Sequence, residues 1–175
     1  LAQNVMTPEK IRKPVIASIQ GYCFGVGFEF SLACDFRIVT RCAQLSLPEM
    51  KIGMIPGSGG SVRLSRMIGL SRVKDMIMRG KRISGEEAFN YGLASEVVEI
   101  NDLENATRNL VKELCLVSPL AQRAIKTVLN ASQDAPLHVA IELEGETYGR
   151  LRSSSDFKEG VKSFVEKRKP VYTGQ

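Results

Sequence analysis

Residues 13–60 read KPVIASIQGYCFGVGFEFSLACDFRIVTRCAQLSLPEMKIGMIPGSGG, and the fold turns on how this stretch is punctuated. Residues 14–20 (PVIASIQ) form a short apolar run that stops at Gly21, the pattern of a buried strand. Gly21, Gly25 and Gly27 then mark a loop. A helix begins near Val26, and residues 28–34 (FEFSLAC), apolar but for one carboxylate, read as its buried opening. Residues 36–40 read as a second strand and residues 44–47 as a third, short extended piece stopped by Pro48. Residues 51–60 (KIGMIPGSGG) are a loop by their Gly and Pro content.

Downstream, helices are expected over residues 61–68 and 72–78. Ser84 with Glu87 three residues later is a capping box; it opens a helix that Gly92 closes. Residues 95–99 read as another strand. Beyond Asp102 the chain turns helical, over about residues 102–116, 119–131, 136–151 and 156–168, with Pro119 as the first residue of its helix. Strands alternate with helices up to about residue 100 and the rest is helical, which implies an α/β core with a helical C-terminal extension. The division expected is residues 1–110 and 111–175.

The composition excludes more than it selects. A chain of 175 residues can bury a real core, and 43% hydrophobic with 25% charged residues is the balance of an ordinary globular protein. The longest uncharged stretch, residues 14–28, is too short and too rich in glycine to span a bilayer. Cys23, Cys34, Cys42 and Cys115 match no zinc spacing and no CxxC motif, and are expected to be buried free thiols of a reducing compartment. With one His, His138, beside them, a metal site is not expected. The net charge of +5, spread over short basic clusters, gives a general attraction to anions. That suits a polyphosphate-bearing cofactor or nucleic acid. The chain starts at Leu1, and its opening LAQNVMTPEK reads neither as a signal nor as a transit peptide; the true N-terminus is expected to lie upstream.

Two carboxylates carry the chemical interest. In GYCFGVGFEF a strand ends, glycines turn, and a helix begins. The first N–H groups of a helix lack intrahelical partners and sit at the positive end of its dipole. An oxygen that gains negative charge in a reaction is stabilised there. Glu29 stands one turn in, among Phe28, Phe30, Leu32, Ala33 and Cys34. Desolvation in such surroundings suits a carboxyl group to acid or base work; the competing reading is a structural ion pair or a solvent-facing helix residue. Glu49 follows Pro48 between a short strand and a Gly-Pro loop, where catalytic groups tend to sit, though ordinary exposed turn glutamates sit there too. Spacing alone does not bring the two together.

The run over residues 13–60 resembles the signature of the enoyl-CoA hydratase/isomerase (crotonase) family: strand, glycine loop, Glu helix, LACD, the Pro-Glu turn, then IPG-x-GG. SRMIGLSRVKDMIMRGKRISGEEAFNYGLASEVV and the closing DFKEGVKSFVEKRKPVY are similar to the family's later segments. The resemblance implies an α/β fold of ββα units wound into a spiral, of which this chain is the C-terminal portion, followed by helices that build a trimer or hexamer. It implies an enoyl-CoA hydratase, a lyase that adds water across the 2,3 double bond of an acyl-CoA substrate. Glu29 and Glu49 occupy both of the hydratases' carboxylate positions. Val26, standing where the family usually has Gly, offers its backbone N–H to the thioester oxygen. Gly25, Pro56 and Gly57 match substrate-side positions, Gly57 beside the catalytic water. Phe164 and Lys167 match positions that reach the coenzyme A of a neighbouring subunit, against a plainer reading of core packing for Phe164 and a solvated charge for Lys167. No cofactor takes part, since coenzyme A is part of the substrate.

Full-length members carry roughly 90 further residues ahead of the first residue here, about the size of a small domain. The resemblance assigns to them the other oxyanion donor and much of the coenzyme A groove. Within the same fold an isomerase, hydrolase or decarboxylase is the alternative, since fold does not fix chemistry. An RNA-binding protein or a catalytically silent subunit is the alternative of another class, and no aromatic-rich RNA-binding motif supports the first. No membrane partner is expected. The expected compartment is the cytoplasm, or the mitochondrial matrix for a eukaryotic source.

Overall fold

The computed structural model describes residues 5–175. Within them the chain forms two compact units, one built from Val15–Asn109 with a short N-terminal piece, the other from Leu110–Gln175 with Arg12–Pro14.

In the first unit a short helix α1 (Thr7–Lys10) precedes β1 (Ile16–Ile19), β2 (Tyr22–Phe24), α2 (Val26–Ala33), β3 (Phe36–Thr40) and β4 (Gln44–Ser46). A 3₁₀ turn (Glu49–Ile52), α3 (Gly60–Ile68), α4 (Leu70–Met78), β5 (Ile83–Ser84), α5 (Gly85–Asn90) and β6 (Glu96–Val98) follow. Strands are divided between two small three-stranded sheets. β3 pairs in parallel with β1 and β6, while β4 pairs in parallel with β2 and antiparallel with β5. Each ββα unit thus contributes one strand to each sheet, which is the crotonase-like spiral.

β2 corrects the reading of residues 21–27 as loop. Gly21 takes φ 64° and turns the chain from one sheet to the other, and Tyr22 and Phe24 are strand formers flanking Cys23. Three residues are too few for an alternating pattern to show. β5 escaped for the same reason. The capping box is formed as expected: Ser84 Oγ accepts from Glu87 N at 3.1 Å and Glu87 Oε2 from Ser84 N at 2.9 Å.

The core gathers Phe28, Leu32, Val39, Leu45, Leu47, Leu64, Met76, Ile83 and Leu93 between the sheets and helices. Full burial of each such side chain is worth about 1.5–3 kcal/mol. Phe28 and Leu32, four apart on α2, set which face of that helix turns inward and carry Glu29 in with them. Arg37 closes the far end of the helix. Its Nη1 donates to Ser31 O at 2.9 Å and Cys34 O at 2.8 Å, and its Nε to Leu93 O. Burial pulls this guanidinium below its ordinary range. Gly85 touches the third strand so closely that a Cβ would stand 2.0 Å from Thr40 O, so glycine alone fits there.

The thiols depart from expectation. Cys34 is buried, but Cys23 is half-buried and Cys42 and Cys115 are exposed, lying in the turn after β3 and at a helix end.

The second unit is helical: the C-terminal half of α6 (Leu103–Cys115), then α7 (Pro119–Ser132), α8 (Leu137–Leu151) and α9 (Ser155–Val165). Pro119 does open α7, behind Ser118 as cap. α9 stops at Val165, short of the expected 168. Lys167 takes a left-handed φ of 52°, Lys167 N donates to Phe164 O, and Arg168 N donates to Ser163 O. This is a Schellman cap with lysine where glycine is usual, a feature that no glycine advertised.

Asp156, buried at the start of α9, ties down the C-terminal tail. It accepts from Ser118 Oγ at 2.6 Å, Thr173 N at 2.9 Å and Gly174 N at 3.0 Å. Burial works to raise its pKa, but the hydrogen bonds from Ser118, Thr173 and Gly174 together hold it below the usual carboxylate range. A carboxyl group depressed in the folded state stabilises it above the unfolded value and loses that contribution as pH falls through the folded one. Asp156→Ala is therefore expected to cost about 1.5–3 kcal/mol in urea unfolding at pH 7. The gap from the parent protein should close as the pH is taken well below 4. A gap that persists unchanged at low pH would show that the ionised carboxylate is not what holds the tail. Among the described residues no helix is long and apolar enough to cross a membrane.

Candidate active site

α2 begins where the chain leaves β2. Gly25 is its N-cap, with φ 53° and ψ −128°, a backbone conformation that L side chains rarely adopt. The turn is pinned by Gly25 N donating to Ser46 O at 3.0 Å, which ties it to the end of β4. Val26 follows as the first helical residue, so its N–H is one of the donors that an α-helix leaves unused. Its side chain is 47% exposed.

Glu29 is 1% exposed, which rules out the solvent-facing reading. A carboxylate so buried needs partners. Oε1 accepts from Ser58 N and from Gly60 N, both at 2.8 Å. Gly60 is the first residue of α3 and Gly59, at φ 93°, its cap. Glu29 therefore caps a second helix with its negative charge, at the end where the dipole favours an anion. Contact is so close that a Cβ on Gly60 would fall 2.6 Å from Glu29 Cγ.

Glu49 opens the 3₁₀ turn rather than a bare loop. Its Oε1 lies 3.1 Å from where a Cβ on Gly25 would stand. Its Oε2 is buried and has no hydrogen-bond partner within the protein. Buried carboxylate oxygens are seldom left so, and a catalytic role or a water or ion at the site is among the physical reasons for one that is. Pro56, buried, and Gly57, exposed, lead into the Ser58–Gly60 segment that holds Glu29. Gly25 is thus a shared neighbour of the two glutamates: Glu29 N donates to its carbonyl at 2.9 Å, and Glu49 Oε1 stands against it. Cys23, two residues ahead of Gly25, is no candidate nucleophile: burial pushes its thiol up, against a smaller opposing effect of Ser31.

Phe164 and Lys167 belong to the second unit. Phe164 is 85% exposed, which excludes core packing, and Lys167 is exposed as well. The backbone donors of Ser58 and Gly60 were not anticipated. Their signal was present in the GSGG run ahead of a helix, which is the composition of an anion-binding N-terminus.

A family model for enoyl-CoA hydratase/isomerase matches residues 2–175. Carnitinyl-CoA dehydratases of Salmonella paratyphi A and Salmonella agona are 38% identical over 172 residues, covering 93% of this chain. The chain spans 64% of the length of these relatives. The crystal structure of an enoyl-CoA hydratase from Bacillus anthracis superposes with a TM-score of 0.97 at 38% identity, over 99% of this chain and 67% of that one. Pseudomonas aeruginosa DspI superposes at 0.94 with 33% identity, over 98% of this chain and 66% of that one.

Proposed function

The chain belongs to the enoyl-CoA hydratase/isomerase family, and from that premise we propose that it adds water across the 2,3 double bond of a 2-enoyl-CoA thioester. The observation that carries this reading is a pair of glutamates flanking one glycine turn, Glu29 through its N–H to Gly25 O and Glu49 through Oε1 against Gly25. Glu29 is buried and held by two N–H groups, and Glu49 has a buried oxygen with no partner. Hydration needs both. One group draws a proton from water as its oxygen attacks Cβ, and another delivers a proton to Cα.

Glu29 takes the first role. Its Oε1 is committed to Ser58 and Gly60, which leaves Oε2 to accept from the water. Glu49 takes the second, through its unpartnered oxygen. As Cβ is attacked, negative charge moves to the thioester oxygen, and the Val26 N–H at the positive end of α2 is placed to receive it. Gly25, Pro56 and Gly57 line the approach. No cofactor enters this scheme, since coenzyme A is the substrate's own carrier. The dehydratases among the relatives lend support, because removing water from a CoA thioester and adding it share one transition state.

Assembly as a homo-oligomer belongs to the same proposal. The second unit leaves large apolar side chains open, Leu137 at 77%, Phe164 at 85% and Val165 at 73%, more than a monomer usually leaves uncovered. Phe164 and Lys167 are then free to meet the coenzyme A of a neighbouring subunit.

The test is turnover of crotonyl-CoA by the protein as isolated, with its intact mass and its mass in solution measured on the same sample. Loss of the conjugated enoyl-thioester absorbance with formation of 3-hydroxybutyryl-CoA is expected. If crotonyl-CoA is untouched while a 3-enoyl-CoA gains conjugated absorbance, the hydratase reading fails and an isomerase replaces it.

A further inference from the structure

The segment that grips Glu29 is itself gripped from outside. Arg63, one turn into α3, folds back over Gly59, its Nη1 only 2.3 Å from where a Cβ on that glycine would stand. Nη1 donates to Ser58 O at 3.0 Å. The other edge of the guanidinium meets Glu9 of α1 in a two-pronged pair, Nε to Oε1 at 2.5 Å and Nη2 to Oε2 at 3.0 Å. The Arg63 side chain is 14% exposed and that of Glu9 31%. Such a planar, bidentate and largely covered pair fixes direction as well as distance.

Ser58 is the shared element. Its C=O accepts from Arg63 and its N–H donates to Glu29 Oε1. We infer that Arg63, aligned by Glu9, is a positioning residue for the Glu29 carboxylate. It sets the Ser58–Gly60 backbone so that both N–H groups converge on Oε1 and Oε2 keeps its aim. Glu9 and Arg63 stand 54 residues apart in the chain, and neither needs to touch substrate. The inference rests on the hydratase reading for its catalytic consequence but not for its geometry.

The experiment therefore has two readouts. The first is the amide proton shifts of Ser58 and Gly60, which report their hydrogen bonds to Glu29 whatever the protein catalyses. Arg63→Ala should move both upfield, and Glu9→Gln, which keeps the arginine, should do so to a smaller extent. The second is crotonyl-CoA hydration. Displacing a reacting group by about 1 Å costs on the order of 10²-fold, so Arg63→Ala should lower kcat by about 10- to 100-fold with KM within about twofold. In a Glu29→Gln background the same substitution should change the residual kcat by less than about twofold, because residues that act as a unit are not additive. Equal losses in both backgrounds, or amide shifts unmoved by either variant, overturn the inference. Should Arg63→Ala fail to fold, Glu9→Gln carries both readouts. Absence of turnover in the parent protein sinks the hydratase reading alone, and the amide shifts still decide the clamp.

Discussion

Glu29→Gln is expected to reduce kcat for crotonyl-CoA by about 10²–10⁴, the usual range for removing a general base, with KM changed only a few-fold. The amide is nearly isosteric, and its carbonyl oxygen can still accept from Ser58 N and Gly60 N. The fold and the packing against Phe28 and Leu32 should survive, and unfolding in urea should confirm this. What is lost is the capacity to take a proton from water. Glu49→Gln should fall within the same range for a different reason, since its amide has no proton to deliver to Cα at an acceptable cost. If both groups act on one bound water in one step, the double variant should lie within about tenfold of the weaker single. Losses that multiply would indicate two independent steps. Retention of full activity in Glu29→Gln would remove this residue from the mechanism whatever its burial.

Elements whose signal is local were readable in advance. Residues 36–40 carry a run of strand formers and became β3 at those bounds. Ser84 and Glu87 lie three apart, and a capping box is defined by that spacing. Glu29 stands out because a lone carboxylate in FEFSLAC is a local contradiction. What escaped was set by partners distant in the chain. Glu29 and Gly60 are 31 residues apart and Glu9 and Arg63 54 apart, and nothing in either neighbourhood announces the other. β2 is a strand only because β4 lies beside it. The exposure of Phe164 could not be inferred from a helical pattern, which identifies an apolar face but not whether anything covers it.

Gly60→Ala should do to the same carboxylate by steric means what Glu29→Gln does by chemistry. The new Cβ would stand 2.6 Å from Glu29 Cγ and 2.9 Å from its Oε1, closer than real Cβ atoms approach. Glu29 cannot swing aside at low cost, since it is 1% exposed and the neighbouring positions Phe28 and Leu32 are packed in the core. Either the carboxylate moves or the first turn of α3 does, and both break the pair of 2.8 Å bonds from Ser58 and Gly60. A destabilisation of about 1–3 kcal/mol is expected from overpacking, together with a fall in kcat of at least about 10²-fold from misplacement. The comparison that separates this from a general intolerance of alanine is Gly145→Ala. That glycine lies inside α8 with nothing within 4 Å of its Cβ position, and alanine there should stabilise by about 0.5–1 kcal/mol. A double-mutant cycle then isolates the contact. In a Glu29→Ala background the atoms that Gly60→Ala strikes are gone, so its stability cost should shrink toward zero. If Gly60→Ala keeps the parent kcat, the position of the Glu29 carboxylate against α3 is not what the chemistry requires. If the stability cost is the same in both backgrounds, the strain lies in the α3 backbone, and the link from Gly60 to Glu29 fails.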